Sequence, residues 1–139
     1  MARIAIKQCD VEFAWAAGFF DGEGSVYVTR RPRVSGNGMY LMLNLQVVQS
    51  GHKCPSTLVR FAEAIGFKGV IWGPLVDKKD SKYHRKPRWG VRLNGRKNVI
   101  DAMERLMPYL SDEKRSQWSL AYAEIAGYDL EQQHRLRVA

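Results

Sequence analysis

The sequence predicts an α+β domain in which helices cover one face of a four-stranded antiparallel sheet, in the order αββαββα. Strand-like alternation comes in pairs, and the first pair is joined by a short polar turn. Helical stretches precede, separate and follow the pairs, and the second face of the strands is polar and basic. Paired strands of this kind form antiparallel sheets whose apolar face is buried under helices. With 139 residues, of which 45% are apolar, we expect a single domain over residues 1–139.

The first helix is predicted to begin at Asp10, as its cap, and to end at about Phe20 or Asp21. It is apolar on nearly every side, which predicts burial on most sides. Small residues and an acid recur at helical spacing and form one stripe, namely Ala14, Ala17, Gly18 and Asp21. Two glycines, at positions 22 and 24, then break the helix.

A hairpin follows, with strands predicted over residues 25–33 and 39–49 around a turn at 32–38. A helix over residues 55–65 and a short strand over 70–76 come next. A strongly basic loop covers residues 77–88, and a strand covers 88–94. The last helices are predicted over about 97–106 and from a cap at Ser111 to Gly127, with Trp118, Tyr122 and Ile125 on the buried face of the second. The polar tail after Asp129 is predicted to be a short helix or frayed.

The formal charge of +8 and the isoelectric point of about 9.7 predict a polyanionic partner, either nucleic acid or an anionic membrane surface. A basic but inert surface is the alternative. Cys9 and Cys54 have neither zinc-site nor disulfide-framework spacing. No apolar run reaches the length of a membrane span, so we expect no membrane partner. Acids soon follow Arg3 and Lys7, which argues against a signal peptide and for an intracellular protein, in cytoplasm or organelle matrix.

The polar face of the sheet is the candidate nucleic-acid surface. Arginine, glutamine, asparagine and threonine on exposed strands are side chains that read base edges in a major groove. Polar sheet faces are common, so the prediction depends on their combination with the basic loop. The candidate contacts are Ser25, Tyr27, Thr29, Arg31, Arg33, Tyr40, Asn44, Gln46, Arg88 and Arg92. Two further candidates are Lys53, for phosphate, and Trp72, which is otherwise a core residue.

The small-residue stripe predicts a close helix crossing, and the chain contains no second copy of it. The partner helix is therefore expected from another chain in a two-fold dimer, with Ala14, Ala17, Gly18 and Asp21 in the interface. Such a crossing would bring Glu23 of each chain together. Paired carboxylates repel unless a cation lies between them, and oxygen ligands suit Mg²⁺. A plain helix-end turn is the alternative interpretation of Glu23.

Residues 16–25, A-A-G-F-F-D-G-E-G-S, resemble the LAGLIDADG motif of homing endonucleases. The predicted element order is similar to that of the family over nearly the whole chain, and one motif per chain is typical of its homodimeric members. The resemblance implies a four-stranded saddle on double-stranded DNA and dependence on Mg²⁺. It also implies double-strand cleavage across the minor groove of a long, near-palindromic site.

The resemblance also implies roles for single residues. Glu23 and Gly22 would bind the metal, and Glu23 would be catalytic, although the family often has aspartate at that position. Asp21 would support the helix interface. Gln49, at the end of the second strand, and Lys114, ahead of Arg115 as the basic residue of the last helix, would complete the catalytic set, with Lys53 in the same network. The alternatives are a surface strand end for Gln49 and a solvated helix residue for Lys114.

The sequence therefore predicts a homodimeric, site-specific DNA endonuclease. The main alternative is a nucleic-acid-binding module on the same scaffold, either a splicing cofactor that binds intron RNA or a DNA-binding regulator, without cleavage. A structural or membrane-surface protein is a third class, against which the first helix argues because it is short and carries Asp10 and Glu12.

Overall fold

The computed structural model describes residues 8–138. Arg3 and Lys7, on which the expectation about a signal peptide depends, lie outside the described residues. The elements follow the order α-β-β-α-β-β-α-α, which confirms the predicted α+β class. They are α1 (Gln8–Glu23), β1 (Gly24–Pro32), β2 (Met39–Ser50), α2 (Ser56–Ala64), β3 (Trp72–Leu75), β4 (Arg88–Asn94), α3 (Arg96–Leu106), a 3₁₀ turn (Met107–Tyr109) and α4 (Asp112–Val138).

The four strands form one antiparallel sheet in the order β1-β2-β4-β3. The β1–β2 hairpin runs in continuous register from Gly24↔Val47 to Pro32↔Met39. Because side chains alternate between the two faces of a strand, each row of paired residues presents its side chains on one face. The apolar rows face the helices and the polar rows face outward.

The core lies between the inner face of the sheet and the helices. From the sheet come the four buried side chains of Leu41, Leu43, Leu45 and Val47 on β2, with Val26 and Val91 from its neighbours. The helices contribute Phe20, Phe61, Met103 and Leu106, all fully buried. The Phe20 and Phe61 rings stack with centroids 6.3 Å apart, which joins α1 to α2. Burial of this apolar layer positions the end of α1 beside the start of α4.

The predicted end of the last helix at Gly127 is wrong, because α4 continues without a break to Val138. Gly127 does not have the positive φ of a helix-ending glycine. Contacts beyond it hold the helix against the start of α3 and the end of the hairpin strand β1: Arg96 Nε donates to the Asp129 carboxylate at 2.7–2.8 Å, and Arg33 Nη2 donates to Tyr128 Oη at 2.7 Å. These partners are distant in sequence, so local patterning does not show them.

Three smaller predictions also change. Asp10 lies within the first turn of α1 rather than at its cap, because the helix already includes Gln8. Strand β3 is shorter than 70–76, since it pairs with β4 only between Trp72↔Gly90 and Leu75↔Arg88 and has an irregularity in between. Tyr122 is 48% exposed and Ala121 takes the buried position on α4. No helix within residues 8–138 is long and apolar enough to span a membrane.

Candidate functional site

The outward face of the sheet carries rows of polar side chains. One row consists of Ser25, Gln46 and Arg92, and the next of Tyr27, Asn44 and Asn94. Tyr27 Oη donates a hydrogen bond to Gln46 Oε1 at 2.9 Å and so joins the two rows. Thr29 and Arg31 continue the face along β1. The predicted polar face therefore exists, on the side of the sheet opposite to the helices.

Asn44 lies on this face but beneath its surface, since it is 0% exposed. Its Nδ2 donates to Thr29 Oγ1 and to the Met42 carbonyl, each at 3.1 Å. In the chain as it stands Asn44 is not open to a ligand, and its contact with DNA stays a prediction. Asn44 instead fixes Thr29 on the adjacent strand.

Arg33 was predicted on the polar face, and the structure places it on the helix side. Strand β1 ends at Pro32, so the alternation that predicts the direction of the side chain stops one residue earlier. The guanidinium donates to Tyr128 Oη and to Gln132 Oε1, each at 2.7 Å. Arg33 thus anchors α4 to the hairpin and is not a surface contact.

Arg88 forms an ion pair with Asp77, an acid at the start of the basic loop. Both of its Nη atoms donate to Asp77 Oδ1 at 3.2 Å, and Arg85 also binds this carboxylate through its backbone N–H, Nε and Nη2 at 3.0–3.2 Å. The hydrogen bonds from Arg85, supported by Arg88, lower the pKa of Asp77 to about 2. The predicted availability of Arg88 for DNA is therefore not realised here. The only sequence signal for this role is that Asp77 is an acid at the start of a strongly basic loop.

Other predicted contacts are open to solvent. Arg31, Tyr40, Lys53 and Arg92 are exposed. Trp72 is half-buried and lies on the outward face over Gly90, where a Cβ would stand 2.2 Å from the indole ring. Glycine at position 90 is therefore what allows the ring to lie flat on β4, and Trp72 faces the same side as the polar rows.

The acid of the motif, Glu23, is the last residue of α1 and its side chain is exposed. Within residues 8–138 its carboxylate has no hydrogen-bond or ion-pair partner. Gly22 is also exposed, and Gly24 begins β1 with the Phe20 ring directly against it. A carboxylate without a partner at the helix–strand junction is available to a ligand.

Asp21 binds its own chain. Its carboxylate accepts hydrogen bonds from Ser111 N at 3.1 Å and from Ser111 Oγ at 2.9 Å. Ser111 Oγ in turn accepts from Lys114 N at 3.3 Å, as a helix cap does. The prediction placed Asp21 in the helix interface between chains, but the structure directs its carboxylate to the first turn of α4. The fold brings these residues together over 90 positions of sequence.

This junction brings Lys114 to the motif. Its ammonium group donates to the Gly24 carbonyl and lies 5.5 Å from the centre of the Phe20 ring. Lys114 is half-buried, so the interpretation as a solvated helix residue is wrong.

Gln49 is half-buried at the end of β2, on the helix side, where Oε1 accepts from Thr57 Oγ1 at 2.5 Å. That contact leaves the Nε2 hydrogens of Gln49 unused within residues 8–138. The sequence does not indicate the role of Thr57, because its contact with Gln49 depends on how the first turn of α2 packs beside the end of β2.

Of the predicted small-residue stripe on α1, only Ala14 and Gly18 are exposed. By contrast, Ala17 is 0% exposed and packs within its own core. Ala17 lies on the inward side of the helix with residues 16 and 20, and its place in an interface between chains stays a prediction. A Cβ added at Gly18 or Gly22 meets no atom within 4 Å, so neither glycine is needed for packing within the chain.

The donor chemistry at the end of α1 suits a hard divalent cation. Glu23 and Gly22 are exposed residues, and a carboxylate and a backbone carbonyl are oxygen donors of the kind that Mg²⁺ prefers; Mg²⁺ also commonly retains several waters. Among residues 8–138, however, no three His, Cys, Asp or Glu side chains lie close enough to hold a metal ion. One chain thus offers part of a ligand set.

Comparisons with known proteins identify the fold. No protein-family profile and no curated protein matches the chain. Among solved structures, the homing endonuclease I-CvuI, in complex with a DNA target in the presence of 2 mM Mg, is 24% identical with a TM-score of 0.61 over 81% of this chain. The intron-encoded homing endonuclease I-CeuI complexed with DNA is 17% identical, with a TM-score of 0.62 over 94% of this chain.

The LAGLIDADG homing endonuclease I-LtrWI bound to target DNA is 12% identical, with a TM-score of 0.67 over 90% of this chain. The chain spans 64% of the I-CvuI chain, 61% of I-CeuI and 40% of I-LtrWI. At these identities the similarity concerns the fold. The chain therefore has the fold of the LAGLIDADG homing endonucleases, which confirms the resemblance predicted from residues 16–25.

Proposed function

We propose that this protein is a site-specific, double-strand DNA endonuclease that acts as a homodimer with Mg²⁺ on a long, near-palindromic site. The observation that carries the proposal is the unpartnered carboxylate of Glu23, with the Lys114 ammonium bound to the next residue along the chain. Glu23 directly precedes β1, two residues before Ser25 on the outward polar face. The carboxylate of Glu23, the ammonium group of Lys114 and the polar face of the sheet are thus close to one another.

The similar structures support DNA as the substrate class. I-CeuI and I-LtrWI are complexes with DNA, and I-CvuI was crystallised with DNA targets in the presence of Mg or Ca. The formal charge of +8 on this chain also favours a polyanion. These observations support a divalent cation and DNA for this chain.

The residues at the junction have distinct proposed tasks. A bound Mg²⁺ would stabilise negative charge on the scissile phosphate and on a nucleophilic water. Glu23, with the Gly22 carbonyl, would hold the cation. Lys114, fixed by the Gly24 carbonyl, would place a positive charge beside the phosphate. Gln49, whose Oε1 is held by Thr57, would donate from Nε2 to an ordered water or phosphate oxygen.

The second chain is proposed from the exposed side of α1. Glycine inside a helix costs about 1 kcal/mol relative to alanine. Gly18 nevertheless stands in mid-helix, where a Cβ would meet no atom of its own chain. A close crossing with a second copy of α1, through Ala14 and Gly18, would explain this choice and would bring two Glu23 carboxylates to one site.

The availability of Glu23 favours a nuclease over a binding module on the same scaffold. A splicing cofactor for intron RNA or a DNA-binding regulator needs the basic face but not an unpaired acid at the helix end. An isolated acid beside DNA phosphates would weaken binding by repulsion. A cation bound between Glu23 and a DNA phosphate would remove this repulsion, so an acid at this position fits a metal-dependent nuclease.

The proposal predicts that Glu23→Gln abolishes cleavage but retains DNA binding. A library of randomised duplexes is incubated with the protein and Mg²⁺, and the sequences of cut ends identify the site. Losing an outer-sphere partner of a metal already costs about 10–100-fold. The loss of a direct ligand is therefore expected to lower the cleavage rate more than about 100-fold. Binding of the selected site, measured by fluorescence anisotropy, should weaken little.

Glu104→Gln is the matched control, because it makes the same charge change at an exposed position on α3. It should cut at the wild-type rate. EDTA should prevent cutting by the wild-type protein. Binding of a specific duplex without any cutting in Mg²⁺ would identify a binding module and reject the nuclease.

A further inference from the structure

We infer that Tyr27 fixes the amide of Gln46 so that Gln46 and Arg92 together present only hydrogen-bond donors and select guanine in each half-site. The inference rests on the proposed function, since it assumes that the outward face of the sheet lies on duplex DNA. It adds a specificity rule that can be tested without cleavage.

The geometry begins with the contact between the two side chains. Tyr27 Oη donates to Gln46 Oε1 at 2.9 Å across the β1–β2 pair, and both residues are half-buried. In the strand register Tyr27 is opposite Asn44 and Gln46 is opposite Ser25, so the contact runs diagonally on the outward face. With the phenol as donor, the carboxamide oxygen of Gln46 is directed to Tyr27.

The orientation determines what Gln46 offers to a ligand. A carboxamide has one acceptor oxygen and two donor hydrogens on nitrogen. With the oxygen directed to Tyr27, Nε2 points away from the phenol, and within residues 8–138 it has no hydrogen-bond acceptor. Gln46 thus presents a donor to any base edge that approaches this face.

Arg92 adds further donors at the same level. It is directly opposite Gln46 in the β2–β4 register and is exposed. In contrast to Arg33 and Arg88, its guanidinium has no acid or carbonyl partner among the described side chains. A guanidinium contains only donors. Gln46 and Arg92 therefore form a donor-only pair in the centre of the sheet.

Base chemistry gives the ligand that such a pair accepts. In the major groove guanine presents two acceptors, N7 and O6, whereas adenine presents the N7 acceptor beside the N6 donor. Glutamine reads adenine by using its oxygen and its nitrogen together. That mode is impeded here because Tyr27 holds the oxygen. The donor-only pair should consequently select guanine and reject adenine.

The test is a binding selection with randomised duplexes in Ca²⁺, using the Glu23→Gln protein so that no site is cut. Guanine should be enriched at one position of each half-site. Tyr27→Phe frees the amide to rotate, and the preference for guanine over adenine at that position should fall by about fivefold or more, since one bidentate contact is worth roughly 1–3 kcal/mol.

Two variants make the result specific. Tyr122→Phe removes a hydroxyl from the helix side of the molecule and should leave the selected sequence unchanged. Gln46→Glu replaces the donor with an acceptor and should shift the preference toward cytosine, whose N4 donates in the major groove. The thermal midpoint of each variant, measured by circular dichroism, identifies a loss of fold.

The outcomes separate this inference from the proposed function. Enrichment of a specific site without guanine, or an unchanged preference in folded Tyr27→Phe, would overturn the inference and leave the endonuclease proposal intact. Enrichment of adenine would mean that Gln46 presents its oxygen, and would overturn it as well. The absence of any enriched duplex would overturn both.

Discussion

Two acids that are two residues apart at the end of α1 differ in what surrounds them. The carboxylate of Asp21 is occupied by the backbone and hydroxyl of Ser111, and thereby joins α1 to α4. Glu23 has no such partner within residues 8–138. The motif identifies both acids, but only the fold shows that one is structural within its chain. This separation leaves Glu23 as the acid available for chemistry.

The same contrast applies to the basic residues. Arg33 and Arg88 look like surface contacts in the alternating sequence, yet each is bound within the chain, one by Tyr128 and the other by Asp77. Arg92 has the same chemistry but has no hydrogen-bond or ion-pair partner within residues 8–138. Sequence alternation predicts the face on which a side chain lies but not its partners, because those come from distant segments.

At this scale we predict that Asp77 titrates unusually low because of Arg85. Its pKa in the folded chain, about 2, lies below the ordinary value of 3.8. The bond to Arg85 and Arg88 thus stabilises the basic loop fully above pH 3.8 and is lost as the pH falls through about 2. NMR titration of the Asp77 carboxyl carbon should show this low midpoint.

The Arg85→Ala variant tests the cause. Because Arg85 supplies the largest contribution to the shift, its removal should raise the pKa of Asp77 toward 3.8. Lys82→Ala removes a cation from the same loop without touching the carboxylate and should leave the midpoint low. An unchanged midpoint in Arg85→Ala would mean that another group holds the proton off Asp77.

At the scale of the elements, the strands were predicted more accurately than the ends of the helices. Strand β4 occupies the predicted residues 88–94, because its alternation of apolar and polar side chains reflects one buried and one exposed face. The end of α4 was misplaced, because Gly127 lacks the positive φ with which a glycine commonly ends a helix. Gly66 meets that condition with φ 69°, whereas Gly127 does not.

This difference predicts opposite effects of alanine at the two glycines. A Cβ at Gly127 meets no atom within 4 Å, so Gly127→Ala should stabilise the fold by about 0.5–1 kcal/mol through lower backbone entropy in the unfolded chain. Gly66→Ala should destabilise it by about 1 kcal/mol, because L-residues disfavour the left-handed region. Urea unfolding of both variants measures the two changes. Destabilisation by Gly127→Ala would show that α4 needs glycine for a reason other than chain geometry.

At the scale of the whole molecule, charge and symmetry combine. A dimer doubles the formal charge of +8 to +16, so counterion release should make DNA affinity fall steeply with salt. The sheet supplies a continuous face, and in the proposed dimer the exposed side of α1 would contact the second copy. Neither the pairing of chains nor the crossing of two helices can be derived from one sequence, because a single chain shows only half of a two-fold contact.

The proposed dimer predicts that Gly18→Leu yields a monomer. Gly18 is exposed and a Cβ there meets no atom of its own chain within 4 Å, so the monomer should fold, but two leucine side chains would hold the α1 helices apart. Light scattering coupled to gel filtration should give a mass near the 15.9 kDa of one chain instead of twice that value. Cleavage should be lost with the dimer because each chain contributes one Glu23.

Gly127→Leu is the control for this variant, since it places the same side chain at an open glycine on α4. It should remain a dimer and keep its activity, so any loss in Gly18→Leu cannot come from a leucine on a helix surface alone. A folded Gly18→Leu protein that is still dimeric would place the interface elsewhere. If the wild-type protein is monomeric with and without DNA, no second Glu23 is present, and the proposed shared metal site is contradicted.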